Sequence, residues 1–136
     1  MPKWTWTLRR STLHLLTGGG VHLHVVMNDP VFDPVRGVDS VLLVNLCSAK
    51  PGIVFDETCI LHAGCHPFIK HDTYVDYYHA VVKAALPLEG EVAAGSVRAG
   101  QPMQEDDFKR IRDGFTVTRD LSQSGSIMRF FNQNGI

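Results

Sequence analysis

The sequence predicts a mainly β fold, a strongly bent antiparallel sheet or small barrel of roughly five to seven strands with one or two C-terminal helices. Over the first two thirds, apolar and polar side chains alternate in short runs broken by Gly, Pro and Asp, as in half-buried strands. The last third changes to helical spacing. With 136 residues, 44% of them hydrophobic, residues 1–136 can form a single domain with its own core.

The N-terminal part of the chain shows the alternation of strands in successive short runs. Trp4, Trp6 and Leu8 would lie on one face of the first strand, and the alternation continues over residues 13–15. Gly18-Gly19-Gly20 predicts a turn, because glycine is free to adopt turn conformations. The next run, residues 21–27, alternates again, and its histidines His22 and His24 are either a solvent-facing pair or a ligand pair.

Residues 40–48 are apolar on both faces for most of their length and predict a central strand. Further strands are expected at residues 59–61 and 79–86, and a weaker one at residues 91–97. One shared core is expected to contain five of the apolar residues: Leu23, Val25, Val41, Leu43 and Phe108.

Two helices are predicted in the last third. The first follows Pro102, has acidic residues in its first turn and basic residues after them, and closes at Gly114. The second begins near Ser124 or Ser126 and carries Ile127, Phe130 and Phe131.

Charge and cysteine content narrow the function classes. With 13 basic and 14 acidic residues the formal net charge is −1, so any nucleic-acid contact would need a local basic patch. The 3 cysteines include no C-x-x-C pair and are typical of reduced thiols in a cytosolic protein. The N-terminus lacks the apolar stretch of a signal peptide, and no apolar run approaches the roughly 18 residues of a membrane span. We therefore expect a cytoplasmic protein.

The segment DETCILHAGCHPFIKHDTY holds the candidate metal ligands Cys59, His62, Cys65 and His66. These side chains have zinc chemistry, but they all lie on one segment, whereas structural zinc sites usually draw ligands from separate places in the chain. We expect no bound metal. Alternatives are a nucleophilic Cys65 beside His66, or a structural corner with Cys59 in the core, a turn at Gly64 and Pro67, and Phe68 as anchor.

The same loop is dense in titratable groups, with His66, Lys70, His71 and Asp72 close together. Functional sites often lie in such loops, because loops carry binding and catalytic groups on a rigid scaffold. A solvated polar loop remains the other interpretation.

The chain contains, in order, a strand ending in a polar stop (HLHVVMNDP), a core strand ending in small polar residues (SVLLVNLCSA), a later strand leading to AVV, and a closing helix. This order of elements resembles that of the MazF/PemK-like toxins. His22-Leu23 stands where the family commonly has Arg-Pro, Asn45 where it has proline, and Cys47-Ser48 where it has a hydroxyl pair. The pattern match spans residues 12–112.

The resemblance implies an SH3-like barrel that cleaves RNA without a metal or other cofactor, in the cytoplasm of a bacterium, as part of a toxin–antitoxin system. Its partners would be RNA and an antitoxin protein, and a homodimer is left open. Such cleavage needs a base, an acid and a cation at the phosphate. The residues that would supply these groups are His22, Ser48 and His66 for catalysis and Lys50, Lys70 and Tyr74 for RNA binding. The alternative is a non-catalytic barrel module that binds nucleic acid or a protein partner.

A geometric expectation accompanies these assignments. Ser48 and Lys50 would face His22 across the sheet, and the loop with His66 and Lys70 would fold over them. One pocket would then suit a phosphodiester.

Overall fold

The computed structural model describes residues 3–121 and 125–136. Strands account for 34% of these residues and helices for 21%, which confirms the mainly β prediction. The elements in chain order are β1 (Thr12–Thr17), β2 (Gly20–Val26), β3 (Val31–Asp33), β4 (Val38–Ser48), β5 (Ile60–Leu61), β6 (Thr73–Ala84), α1 (Ala85–Ala93), β7 (Arg98–Gly100), α2 (Glu105–Gly114) and α3 (Ser126–Gln133).

The strands form one seven-stranded antiparallel sheet that curls into a half-barrel. The strand order is β5-β6-β4-β2-β1-β7, and β3 pairs with β4 outside this path. β1 and β2 form a hairpin in which Thr17 pairs with Gly20, and Gly18 between them has a φ of 61°. The predicted glycine turn is therefore confirmed, since this backbone conformation favours glycine.

β4 is the central strand that its apolar run predicts, and it is buried from Ser40 to Leu46. Its alternate side chains enter two different cores. Val41 and Leu43 pack beneath α1, on what we call the α1 face. Leu23, Val25 and Phe108 pack on the opposite side, the α2/α3 face. The prediction of one shared core is wrong, because successive residues of a strand point to opposite faces and this sheet is covered on both.

β6 is bent by an irregularity in its pairing with β4. Residues 77–80 of β6 oppose the single residue Val44. An insertion of this kind bends a strand and increases its twist. The bulge buries the Tyr77 ring, and its hydroxyl donates to the carbonyl of Ile111, 2.8 Å away in α2. The bulge thereby connects the sheet to a C-terminal helix.

Two predicted strands are wrong. Residues 3–8 form no strand, and the backbone amides of residues 5–7 instead donate to Oε1 of Glu89 at 2.7–2.9 Å. The strand predicted at residues 91–97 is wrong because its first residues belong to α1. Leu88 and Val92 are four positions apart, so on a helix both side chains pack on the α1 face. The strand expected at residues 79–86 is confirmed only up to Ala84, where β6 ends.

The two C-terminal helices are confirmed as α2 and α3. α3 begins at Ser126; Ser124, the other predicted start, lies outside the described residues. Both helices bury aromatic side chains, Phe108 in α2 and Phe130 and Phe131 in α3, against the sheet. Among the described helices, none has the length and apolar character that crossing a membrane requires.

Candidate functional site

A cavity opens where β2 and β4 separate. The last Cα pair between these strands joins His24 to Asn45, and beyond it β2 runs towards the hairpin while β4 continues to Ser48. The loop between β5 and β6 covers the resulting gap. We call the space, about 430 Å³, the strand-gap cavity. It is lined by Val21, His22, Leu23, Leu46, Ser48, Phe68, Ile69, Lys70, His71 and Thr73.

The closest polar contact in the cavity joins Ser48 and His71. Oγ of Ser48, the last residue of β4, lies 2.6 Å from Nε2 of His71. The backbone at His71 and at the residue after it is fixed, since Thr73 Oγ1 donates to the His71 carbonyl at 3.0 Å and the Ala49 amide donates to the Asp72 carbonyl at 2.9 Å. The hydroxyl and the imidazole are therefore held together by the pairing of β4 with β6.

His22 lies on the β2 side of the gap. Its Nδ1 is 3.8 Å from Sγ of Cys47, which accepts a hydrogen bond from Nδ2 of Asn45 at 3.5 Å. Burial raises the pKa of the Cys47 thiol. The thiol is therefore protonated at neutral pH and supports the imidazole as a weak hydrogen-bond partner, while a nucleophile would need the thiolate.

His24 is buried, so the interpretation of a solvent-facing histidine pair is wrong for it. Its Nδ1–H donates to the His22 carbonyl at 2.9 Å, and its Nε2 accepts from Thr17 Oγ1 at 3.0 Å. Burial lowers the pKa of His24 and favours this neutral form. We infer that His24 holds the strand end that carries His22.

His66 lies outside the strand-gap cavity. Its side chain is only 4% exposed. Its Nε2–H donates to the Gln101 carbonyl at 2.7 Å, and its Nδ1 accepts from the Phe68 amide at 3.1 Å. The expectation that the loop brings His66 over His22 and Ser48 is therefore wrong. Nε2 holds the loop to the chain after β7, and Nδ1 holds the Phe68 amide within the loop itself. Its catalytic role stays a prediction.

Lys50 and Tyr74 also lie apart from the cavity lining. Lys50 is exposed in the turn after β4. Tyr74 stacks on Phe55 at 4.7 Å, and burial, together with Cys47, raises its pKa to about 12. It lines a different cavity that includes Asp56, Asp76 and Asp120. RNA contacts by Lys50 and Tyr74 stay predictions, and the acidic surroundings of Tyr74 do not favour a phosphate.

The four candidate zinc ligands do not converge. Cys59 is buried in the core, as the structural interpretation predicts, whereas His62 is exposed and contacts Asp72 at 3.1 Å. Burial raises the pKa of Cys65, and both nitrogens of its neighbour His66 are engaged elsewhere. In the part of the chain that the structure describes, no group of three or more His, Cys, Asp or Glu residues could hold a metal ion.

The cavity thus gathers His22, Ser48 and Lys70, which the sequence predicts as site residues, and adds His71. Ser48 pairs with Thr73 in the β4–β6 ladder, so the residue two positions before Thr73 arrives beside Ser48. Knowing that register would have identified His71. Comparison of the chain with protein-family models, curated proteins and solved structures finds no match.

Proposed function

We propose that this protein is a metal-independent endoribonuclease whose active site is the strand-gap cavity. The observation that carries the proposal is the 2.6 Å contact between Ser48 and His71 in a cavity that Lys70 and His22 also line. Among the residues that the structure describes, no Asp or Glu lines this cavity. A phosphodiester would therefore meet proton-transfer groups and a cation without a repelling carboxylate.

In the proposed reaction, the 2′-hydroxyl of the RNA attacks the neighbouring phosphorus, and the bond from phosphorus to the 5′-oxygen breaks. The products are a 2′,3′-cyclic phosphate and a 5′-hydroxyl. His71 acts as the base and accepts the proton of the 2′-hydroxyl at Nε2, the atom that Ser48 contacts in the free protein. His22, on the β2 side of the gap, acts as the acid and donates a proton to the leaving 5′-oxygen. Lys70 stabilises the charge that develops on the phosphoryl oxygens.

The sequence resemblance to MazF/PemK-like toxins supports a biological context for this reaction. In the proposal, the protein acts on bacterial RNA in the cytoplasm and is held in check by an antitoxin protein. In a chain of net charge −1, Lys70 supplies a local positive charge at the cavity to which a phosphate can bind.

The test is cleavage of a fluorescent RNA oligonucleotide of mixed sequence in the presence of EDTA. The wild type should release products ending in a 2′,3′-cyclic phosphate, and it should leave the same oligonucleotide with 2′-O-methyl groups intact. His71→Ala should lower kcat by about 100-fold or more, as expected for loss of a proton-transfer group. The matched control is His62→Ala, a histidine of the same loop that is exposed and outside the cavity.

Cleavage by His71→Ala at the wild-type rate would refute the assignment of this site. Wild-type protein that binds the RNA without cleaving it would instead favour the alternative, a non-catalytic nucleic-acid-binding module. Absence of both binding and cleavage would favour a module that binds a protein partner.

A further inference from the structure

A second cavity lies directly beside the strand-gap cavity. Its volume is about 490 Å³, and we call it the β7 cavity. Phe68 lines both cavities and stands between them. The β7 cavity is lined by His14, His66, Pro67, Phe68, Arg98, Ala99, Gly100 and Gln101.

The register of the sheet places both cavities on the same face. His14 of β1 pairs with Leu23 of β2 on one side and with Arg98 of β7 on the other, so these three side chains share a face. Leu23 lines the strand-gap cavity, and His14 and Arg98 line the β7 cavity. The two cavities therefore form one continuous surface across neighbouring strands, divided by the loop residue Phe68.

Phe68 offers an aromatic ring to this surface, and 45% of the residue is exposed. Its backbone is fixed by a hydrogen bond of 3.1 Å, which the Phe68 amide donates to Nδ1 of His66. The ring of His14 meets its ring at 4.4 Å and 85°, an edge contact, and the guanidinium of Arg98 lies 6.0 Å from its centroid. A fixed and exposed aromatic ring next to a cation is the arrangement on which nucleic-acid bases stack.

Positively charged side chains lie on both sides of Phe68, where they can bind the phosphates of a polyanion. Lys70 lies on the strand-gap side and Arg98 on the β7 side, and no Asp or Glu lines either cavity. Within residues 3–121 and 125–136, the ion pairs involve neither of these two cations. Burial and the neighbouring Arg98 lower the pKa of His14, so Arg98 carries the charge of the β7 cavity.

We propose that Phe68 divides a surface with two subsites for single-stranded RNA. The strand-gap cavity takes the scissile phosphate, the adjacent base stacks on Phe68, and the next phosphate binds Arg98 in the β7 cavity. A base can lie against Phe68 only when it is unstacked from its neighbours, so the surface selects single strands over duplex. The assignment of the scissile phosphate rests on the proposed function, but the binding subsite can be tested without cleavage.

The test measures binding by fluorescence anisotropy with a labelled, six-nucleotide RNA carrying 2′-O-methyl groups, which cannot be cleaved through its 2′-oxygens. Phe68→Leu should weaken binding about tenfold or more, whereas Phe68→Tyr keeps the aromatic face and should bind within about twofold of the wild type. Arg98→Gln should weaken binding several-fold and reduce its dependence on salt, because one phosphate contact is lost. Arg119→Gln, an exposed arginine outside both cavities, is the charge control.

Equal binding by the Leu and Tyr variants of Phe68, or equal binding of single-stranded and duplex RNA, would overturn the proposal. With cleavable RNA, the Phe68 and Arg98 variants should raise KM and leave kcat unchanged, while His71→Ala lowers kcat. Binding that depends on Phe68 in a protein that cleaves no RNA would refute the proposed function and leave the subsite standing. Cleavage with wild-type KM and kcat by the Phe68 and Arg98 variants would refute the subsite and leave the proposed function standing.

Discussion

Gly114, the last residue of α2, lies against the buried ring of Tyr77. A methyl group added at Gly114 would overlap Tyr77 Oη and lie 2.5 Å from its Cζ, a distance that real Cβ contacts essentially never show. The ring cannot move aside freely, because Tyr77 is fully buried and its hydroxyl donates to the Ile111 carbonyl at 2.8 Å. We therefore expect Gly114→Ala to destabilise the protein strongly.

The expected fall in the free energy of unfolding has two contributions. Overpacking of a closed core costs about 1–3 kcal/mol. If the Tyr77 ring shifts to make room, its hydroxyl and the Ile111 carbonyl lose their bond, at a cost of about 1–3 kcal/mol for buried polar groups. Alanine is the better helix former by up to about 1 kcal/mol, which offsets some of this. The free energy of unfolding should fall by about 2–5 kcal/mol.

The assay is urea denaturation followed by circular dichroism, with Gly90→Ala as the matched control. Gly90 lies within α1, and a Cβ there would have no other atom within 4 Å. The same substitution should therefore raise the free energy of unfolding, by up to about 1 kcal/mol. The two variants should change stability in opposite directions. Gly114→Ala protein as stable as the wild type would refute the packing of α2 on Tyr77.

Three further predictions test other parts of the structure by the same assay. Leu43→Ala, in the core of the α1 face, should cost about 2–5 kcal/mol, whereas Leu16→Ala, 77% exposed on β1, should stay within about 0.5; equal effects would refute the assignment of the faces. Burial acts to raise the pKa of Glu89, but hydrogen bonds from the N-terminal segment outweigh it and lower the pKa below its ordinary 4.5. Its stabilisation is therefore complete above pH 4.5 and lost as the pH falls through the lower folded-state pKa, so Glu89→Gln should cost about 1–2 kcal/mol at pH 7 and progressively less as the pH falls below 4.5. A pH-independent cost would contradict this. His66→Ala should cost about 2 kcal/mol through two lost hydrogen bonds, and His62→Ala almost nothing; a neutral His66→Ala would show that the loop needs no such anchor.

Only some of the residues that the sequence predicts for the site lie together in one cavity of the structure. His22, Ser48 and Lys70 do line one cavity, because the pairing of β2 with β4 ends at His24 and Asn45 and leaves a gap beyond it. His66 is the exception. It carries the same imidazole as His71 and lies five positions earlier in the same loop, yet it is buried against Gln101. Composition alone could not distinguish the two histidines.

By itself the sequence determined the elements whose causes are local: the glycine turn of the first hairpin, the central strand apolar on both faces, and the two C-terminal helices. The tertiary structure decided how these elements meet. The bulge at residues 77–80 and the pairing of Ser48 with Thr73 bring His71 into the gap between β2 and β4. Both depend on contacts between residues distant in the chain, and alternation within one strand carries no information about its register against another. The neighbours of a loop side chain are therefore fixed only when the sheet closes.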